Sequence, residues 1–500
     1  MDALLPHHFL SVLIFFPLVA CLPLFGLSEK HAKPYGVLVT ALELALVVGL
    51  WVLFDKNTGV MQFEEFANLV RQVGINYHVG VDGISLTLLL LTAFILFLLA
   101  LYVSKHIKDM LICILLLEGI LMGVFTSLNL IFFYVFWEVS LLPVLYMIGR
   151  YGVGPKVYSG LKFFLYTFLA SLFMLLAILY YAYACSLALE TPFNFDLETF
   201  NSVVLPPQVR LWVFIAFFVG IAVKIPIFPF HNWLPYAYGN APVVGSAVLS
   251  ALLLKMGTYA MVRFLLPLFP NVVLHYFLPL SVLALLMVLY GGLLASAQKE
   301  MKRLIAYSSM SHMGVAVLGL YALNVEGVGG AIFTMFSHGL VSAGLFMLVG
   351  VLFDRYHSSK IVAFKGVAHL MPSYAAFFMV LLLANVGMPL TSGFVGEFLS
   401  LLGFFKSSPL MAFLAGTTII LSAIYMLVLY KKVFYGAQPS GHYALNKAKA
   451  LTSLTCSEKS VLALLVAAVL FLGIYPKPLL APIEQSVQVL LESLQGRINT

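Results

Sequence analysis

Val219-Gly220-Ile221-Ala222-Val223-Lys224-Ile225-Pro226-Ile227-Phe228-Pro229-Phe230-His231-Asn232-Trp233-Leu234-Pro235 sets one ammonium group inside an apolar run that proline interrupts three times. A lysine at the centre of a bilayer costs roughly 2.5–3.5 kcal/mol even on the lenient insertion scale. Prolines in the same turns remove helix hydrogen bonds, so backbone carbonyls are expected to face whatever the site holds. A chain carries both features together mainly where something charged must pass. Lys224 therefore predicts a membrane helix broken around a working charge.

The composition agrees. The chain is 62% hydrophobic and 9% charged over 500 residues, against about 25% charged in soluble domains. The expected fold is an all-α polytopic membrane protein. The first apolar run follows Met1-Asp2-Ala3-Leu4-Leu5-Pro6-His7-His8, which has no basic n-region. It reads as a retained span and not as a signal peptide. Cys21, Cys113, Cys185 and Cys456 are scattered with no C-x-x-C pair. That spacing suits neither an iron–sulfur cluster, nor zinc, nor a disulfide framework.

Windows of about 20 apolar residues predict about fourteen helices. They run at about 9–27, 34–54, 84–104, 109–127, 129–149, 160–186, 209–235, 243–264, 275–296, 303–322, 328–352, 372–403, 409–434 and 459–476. One set of alternating loops and helix ends carries eighteen Lys and Arg residues, Lys447 and Lys449 among them, and the opposite set carries seven. Cytoplasmic loops are the basic ones, so both termini are expected on the outer side of the membrane. The net charge of +7 is then a topology signal, and no nucleic-acid partner is expected.

Two outer segments promise structure of their own. Residues 61–82 pair a short amphipathic stretch (Phe63, Phe66, Leu69, Val70) with an alternating run (Ile75, Tyr77, Val79, Val81), which predicts a small outer helix and strand. After Pro482, the residues Ile483, Val487, Leu490, Leu491, Leu494 and Ile498 share one helical face, suiting a helix that lies in the outer interface. The middle of the chain repeats loosely. Helices 4–8 contain the Lys224 break. Helices 9–13 contain another at the same fourth position, Ala384-Asn385-Val386-Gly387-Met388-Pro389-Leu390-Thr391-Ser392-Gly393-Phe394-Val395-Gly396-Glu397-Phe398. Two inverted five-helix repeats with proline-broken helices are a signature of ion-coupled transporters. The expected divisions are 1–108 (helices 1–3 with the outer element), 109–264 (first repeat, an input half-channel), 275–434 (second repeat, an output half-channel) and 435–500 (helix 14 and the outer amphipathic helix).

Ionisable residues at membrane depth supply the site. Glu138, in Phe136-Trp137-Glu138-Val139-Ser140-Leu141-Leu142-Pro143, needs a cation, and Lys224 is the candidate. The plain alternative is a structural ion pair; the preferred reading is a pair that titrates as its members separate. Lys255, in Leu252-Leu253-Leu254-Lys255-Met256-Gly257, stands about twelve residues from either end of its span, too deep to snorkel. Glu397 lies eight residues past Pro389. His338, in Phe336-Ser337-His338-Gly339-Leu340, is a relay candidate against a satisfied core histidine, and so is His312, in Tyr307-Ser308-Ser309-Met310-Ser311-His312-Met313-Gly314. Haem ligation by the two histidines has no other support. Glu118 is ambiguous, while Glu43 and Arg263 lie nearer helix ends and read as interfacial or structural. Glu138, Lys224, Lys255, His338 and Glu397 thus suggest a lateral proton relay joining two half-channels. A proton crossing against 100 mV costs about 2.3 kcal/mol, and one to two pKa units per site are worth about 1.4–2.7 kcal/mol. Displacing one ion partner is an adequate lever.

Several motifs carry a family resemblance. They are Trp137-Glu138 with Pro143, Lys224-Ile225-Pro226 with Pro229-Phe230-His231-Asn232-Trp233-Leu234-Pro235, Ala241-Pro242-Val243, Lys302-Arg303-Leu304-Ile305-Ala306-Tyr307-Ser308-Ser309, Ser311-His312-Met313-Gly314 and the Gly393-to-Glu397 run. Over essentially the whole chain these resemble the antiporter-like subunits of respiratory complex I, NADH:quinone oxidoreductase. The M-type, counterpart of mitochondrial NADH dehydrogenase subunit 4, matches best, because Glu397 stands where L-type, N-type and Mrp-type relatives usually carry lysine. The resemblance implies that Glu138 and Lys224 are the input pair, Lys255 the central lysine and Glu397 the terminal carboxylate. His312 and His338 match family histidines of less settled role. It implies a proton-translocating subunit of a bacterial inner membrane, set in lipid beside L-type and N-type subunits. FMN, iron–sulfur clusters and quinone would belong to other subunits, with no cofactor or metal in this chain. Alternatives are an Mrp-type Na⁺/H⁺ antiporter subunit, the membrane subunit of an energy-converting hydrogenase, and a structural scaffold that leaves five deep charges unexplained.

Overall fold

A computed structural model describes residues 8–436 and 451–498. Lys447 and Lys449 of the charge count, and the first seven residues, lie outside the described residues. Twelve helices are long and apolar enough to cross a membrane: Glu29–Leu53, Gly83–Tyr102, Ile107–Thr126, Leu130–Tyr151, Lys156–Leu189, Pro207–Lys224, Val243–Leu268, Phe277–Ser296, Met301–Tyr321, Val325–Tyr356, Pro409–Phe434 and Cys456–Ile474. Two shorter apolar helices, Phe9–Phe25 and Pro372–Val386, occupy the remaining expected positions, first and twelfth. The chain is a multi-pass, all-α membrane protein. The ordinals of the expected helices apply directly to these segments.

Burial sorts the helices into a centre and a rim. The eighth helix is buried over its whole apolar window and the fourteenth over only 28% of it. The third, fourth, tenth and eleventh helices join the eighth at the centre. Rim side chains such as Trp212, Leu176 and Phe413 are exposed on the isolated chain, as suits a surface solvated by acyl chains. Small residues let the central helices close. At Gly396 an added Cβ would lie 2.7 Å from the Thr334 backbone nitrogen, so the twelfth helix lies directly on the eleventh.

The helices are not regular, and their irregularities have causes. The fifth helix divides into Leu130–Val139 and Leu141–Tyr151, four residues before Pro143 loses its turn, since proline has no N–H to offer Val139. The seventh ends at Lys224 and resumes only at Leu234–Asn240. The eighth contains two π-helical stretches, Leu249–Leu253 and Met261–Leu265, that bracket Lys255. The twelfth ends at Val386 with Gly387 in the left-handed conformation (φ 80°) and restarts as Ser392–Ser407.

The outer segment differs from expectation. Residues 62–81 form a two-stranded antiparallel hairpin, Gln62–Val70 with Ile75–Val81, and not a helix and a strand. The amphipathic spacing of Phe63, Phe66 and Leu69 loses to tertiary pairing. Glu65 is drawn from the hairpin to the start of the first helix, where it accepts the Leu10 N–H at 2.7 Å and the hydroxyl of Ser11. The C-terminal helix spans Lys477–Ile498, beginning before Pro482, and buries Ile483, Val487 and Leu494. Ser486 Oγ accepts the Gly83 N–H at 2.8 Å, and Arg497 donates to the carbonyls of Pro267 and Val203 at 2.7 and 2.8 Å. On the same face as the hairpin, this helix straps the ends of spans from both halves of the chain.

Candidate functional site

The two breaks position the deep charges differently. Lys224 is the last residue before the seventh-helix break and is 2% exposed. The break does not leave its carbonyls open as the prolines alone suggest. Ile225 and Ile227 N–H groups take the carbonyls of Ile221 and Ala222 at 3.0 and 2.8 Å, and the Trp233 indole donates to Val223 at 2.9 Å. The unsatisfied group is the ammonium itself: Lys224 Nζ makes no hydrogen bond. It stands 5.0 Å from the centre of the Trp137 ring, an arrangement worth about 0.5–2 kcal/mol to a cation.

Glu138, one residue from that ring, is the charge Lys224 senses most. Both carboxylate oxygens lack a hydrogen bond, with Ser171 and Tyr134 alongside but short of a well-formed bond. The expected pair is therefore brought together electrostatically without closing into an ion pair. Glu138 is also only partly buried in the isolated chain.

The second group is wired throughout. Lys255, fully buried, donates to the Ser250 carbonyl at 2.6 Å within its π-helical turn and to His338 Nδ1 at 2.7 Å. With Nδ1 accepting, neutral His338 carries its proton on Nε2, which has no partner. The His338 and His312 ring centres are 6.1 Å apart. His312 Nδ1 lies 2.5 Å from Glu397 Oε1, and Tyr425 approaches His312 Nε2 at 3.5 Å. Glu397 Oε2 is buried and unpartnered. A small cavity of about 10 Å³, room for about one water, is bounded by His312, His338, Asn385, Ser337 and Glu397, where that water would find several polar partners.

Two details of the expected order change. His338 touches Lys255 directly, without a water between, and His312, not His338, reaches Glu397. No direct hydrogen bond links Lys224 to Lys255. Gly257 of the eighth helix instead presses on the break, so that a Cβ there would lie 3.2 Å from the Ile225 nitrogen. Arg263 is structural as expected, paired with Asp82 at 2.5 Å. Glu43, expected near an interface, is fully buried within the bundle. Sequence reasoning missed Tyr425, Asn385, Ser250 and Ser171. Asn385 had a signal, a polar side chain in a broken apolar helix; Tyr425, one of two tyrosines in the thirteenth helix, had none. Among the described residues no group of three or more His, Cys, Asp or Glu could hold a metal.

The family profile described as "NADH:quinone oxidoreductase/Mrp antiporter, TM" matches residues 127–422, which contain both breaks and every relay candidate. The NADH-quinone oxidoreductase subunit M of Rickettsia prowazekii is 39% identical over 96% of this chain and 98% of its own length. A chain of respiratory complex I from Thermus thermophilus superimposes with a TM-score of 0.87 at 34% identity, covering 96% of this chain and 99% of that one. A chain of the Mrp complex from Dietzia sp. DQ12-45-1b has a TM-score of 0.83 at 18% identity, over 97% of this chain and 98% of that one. That last likeness is one of fold alone. The chain belongs to the family of NADH-quinone oxidoreductase subunit M.

Proposed function

We propose that this subunit M family member moves protons across the membrane through Glu138, Lys224, Lys255, His338, His312 and Glu397, driven by electron transfer in partner subunits. The observation that carries the reading is the contrast in wiring: an unbonded Lys224 ammonium faces Glu138, while Lys255, His338, His312 and Glu397 form a nearly continuous line. An isolated buried ammonium is stable as an ion only while a counter-charge stays near. Moving Glu138 away makes Lys224 release its proton toward Lys255; returning it restores the charge. On the other side, Lys255 hands its proton to His338, and His312 delivers one to Glu397. The partly exposed Glu138 favours a neighbouring subunit at that face, because a carboxylate left against lipid is costly.

The partners in this reading are the L-type and N-type antiporter-like subunits of the complex, and FMN, iron–sulfur clusters and quinone act in other subunits. The membrane is a bacterial inner membrane with both termini outside, and the two five-helix units form the input and output half-channels. In the assembled complex, Lys224→Ala should abolish most coupled pumping. An unchanged proton-to-electron ratio in a fully assembled variant would refute the reading.

A further inference from the structure

Two acidic side chains stand outside this relay, Glu43 in the second helix and Glu118 in the fourth. Those helices are parallel and start at the same face. Lys33 near the foot of the second donates to the Val103 carbonyl just ahead of the fourth, and Lys108 at the foot of the fourth donates to Phe25 just ahead of the second, each at 2.7 Å. Farther in, Gly36 lies against Leu111 so closely that a Cβ would meet Leu111 Cδ1 at 2.8 Å. Glu43 is seven residues beyond Gly36 and Glu118 seven beyond Leu111. Seven residues are two turns, about 10 Å, so the two carboxyls reach the same depth on facing sides.

Both residues are 0% exposed, and none of their four oxygens has a hydrogen-bond partner. Each would repel the other if both were charged. A carboxylate without cation or donor in such surroundings costs several kcal/mol. The pair is stable there only while it carries protons. The fifth helix, running antiparallel, sets Phe136 against Gly123 of the fourth. Glu118 lies five residues before Gly123 and Glu138 two after Phe136, which puts them within about 5 Å of one depth.

We propose that Glu43 and Glu118 form a carboxyl pair that holds its protons at rest and gives up and regains one during turnover, a reservoir beside the Glu138 end of the relay. The step is proton transfer alone: an O–H bond forms on one carboxylate as one breaks on a hydronium ion, which leaves as water, and no electrons change hands. The second helix is a rim helix, buried over only a third of its apolar window.

Turnover-induced infrared difference spectra of the assembled oxidoreductase, in H₂O and D₂O, test this. A deuterium-sensitive carboxylic C=O band is expected, lost in both Glu43→Gln and Glu118→Gln and shifted but retained in Glu118→Asp should the amide variants fail to assemble. A band that persists unshifted in these variants, or no such band in the parent complex, overturns the proposal. The inference rests on the proton-moving reading, and Lys224→Ala separates the two. Loss of pumping there, with no band from the pair in the parent complex, sinks the pair alone, whereas intact pumping there sinks the reading itself.

Discussion

Lys224 and Lys255 are both buried lysines in the interior of apolar spans, yet their surroundings are opposite. Lys255 is held by a carbonyl and an imidazole within 2.7 Å, and Lys224 by no hydrogen bond at all, with an aromatic face 5.0 Å away. The helices explain the contrast. Lys255 lies between π-helical turns of a helix packed on all sides, so its fixed neighbours can be provided by this chain. Lys224 ends a helix whose broken backbone satisfies itself through Trp233, Ile225 and Ile227, leaving its ammonium dependent on a carboxylate that sits partly at the surface of the chain. A pre-formed bond suits a group that conducts; a missing bond suits a group whose charge is decided from outside.

Beyond loss of Lys224, the largest effect on this contrast should come from His312→Ala. It leaves Glu397 Oε1 without its partner and opens the second group in the middle. Loss of one charge-assisted bond of about 1.5–3 kcal/mol predicts a fall in coupled turnover of roughly 10- to 100-fold, read as NADH-driven proton uptake by proteoliposomes. A near-normal rate would show that water alone bridges His338 to Glu397. Glu397→Gln is milder, because the amide still accepts from His312 while losing the titrating charge. About a tenfold fall in proton release is expected, about 1.4 kcal/mol in free energy; unchanged release would remove Glu397 from the outlet.

The smallest effect concerns the anchor at the start of the Glu138 helix. Asn129, which caps that helix, and Asn76 of the hairpin both donate to Asp196 at 2.9 and 2.8 Å, and His78 Nδ1 lies 3.5 Å from the same carboxylate. The Asp196 carboxylate beside it, with Glu64 adding to it, outweighs burial and raises the His78 pKa above its ordinary 6.5. Burial pushes Asp196 up, but the nearby His78 and the bonds from Asn129 and Asn76 outweigh it and hold it below its ordinary 3.8. The His78 contribution is thus fully present below about pH 6.5 and fades as pH rises through its raised value. The Asp196 contribution is present above about pH 3.8 and fades as pH falls through its lowered value. Between those limits the anchor is tightest. Thermal unfolding of the purified complex at rising pH should show a loss of about 1 kcal/mol that His78→Ala removes; an identical pH slope in that variant would dissociate the anchor from His78.

Much of this was legible in the residues. Fourteen apolar windows, a lysine among prolines, and an Ala-Asn-Val-Gly-Met-Pro run are local statements, because bilayer thickness and the missing proline N–H act on the segment that contains them. The hairpin at residues 62–81 was not legible, since Glu65 finds its partner 55 residues away at the first helix. Glu43 shows the same limit from the other side: its place in the chain suggested an interface, and only the packing of parallel helices at Gly36 and Leu111 turned it inward to face Glu118.

The sequence by itself determined that this is a polytopic membrane protein with charges at depth beside helix breaks, because the cost of an ammonium in hydrocarbon and the chemistry of proline need no tertiary context. Tertiary structure alone decided which charges touch. A hydrogen bond extends only about 3 Å, and whether Lys255 meets His338, His312 meets Glu397, or Lys224 meets nothing is set by small residues that let particular helices approach, a matter of packing that no single segment contains.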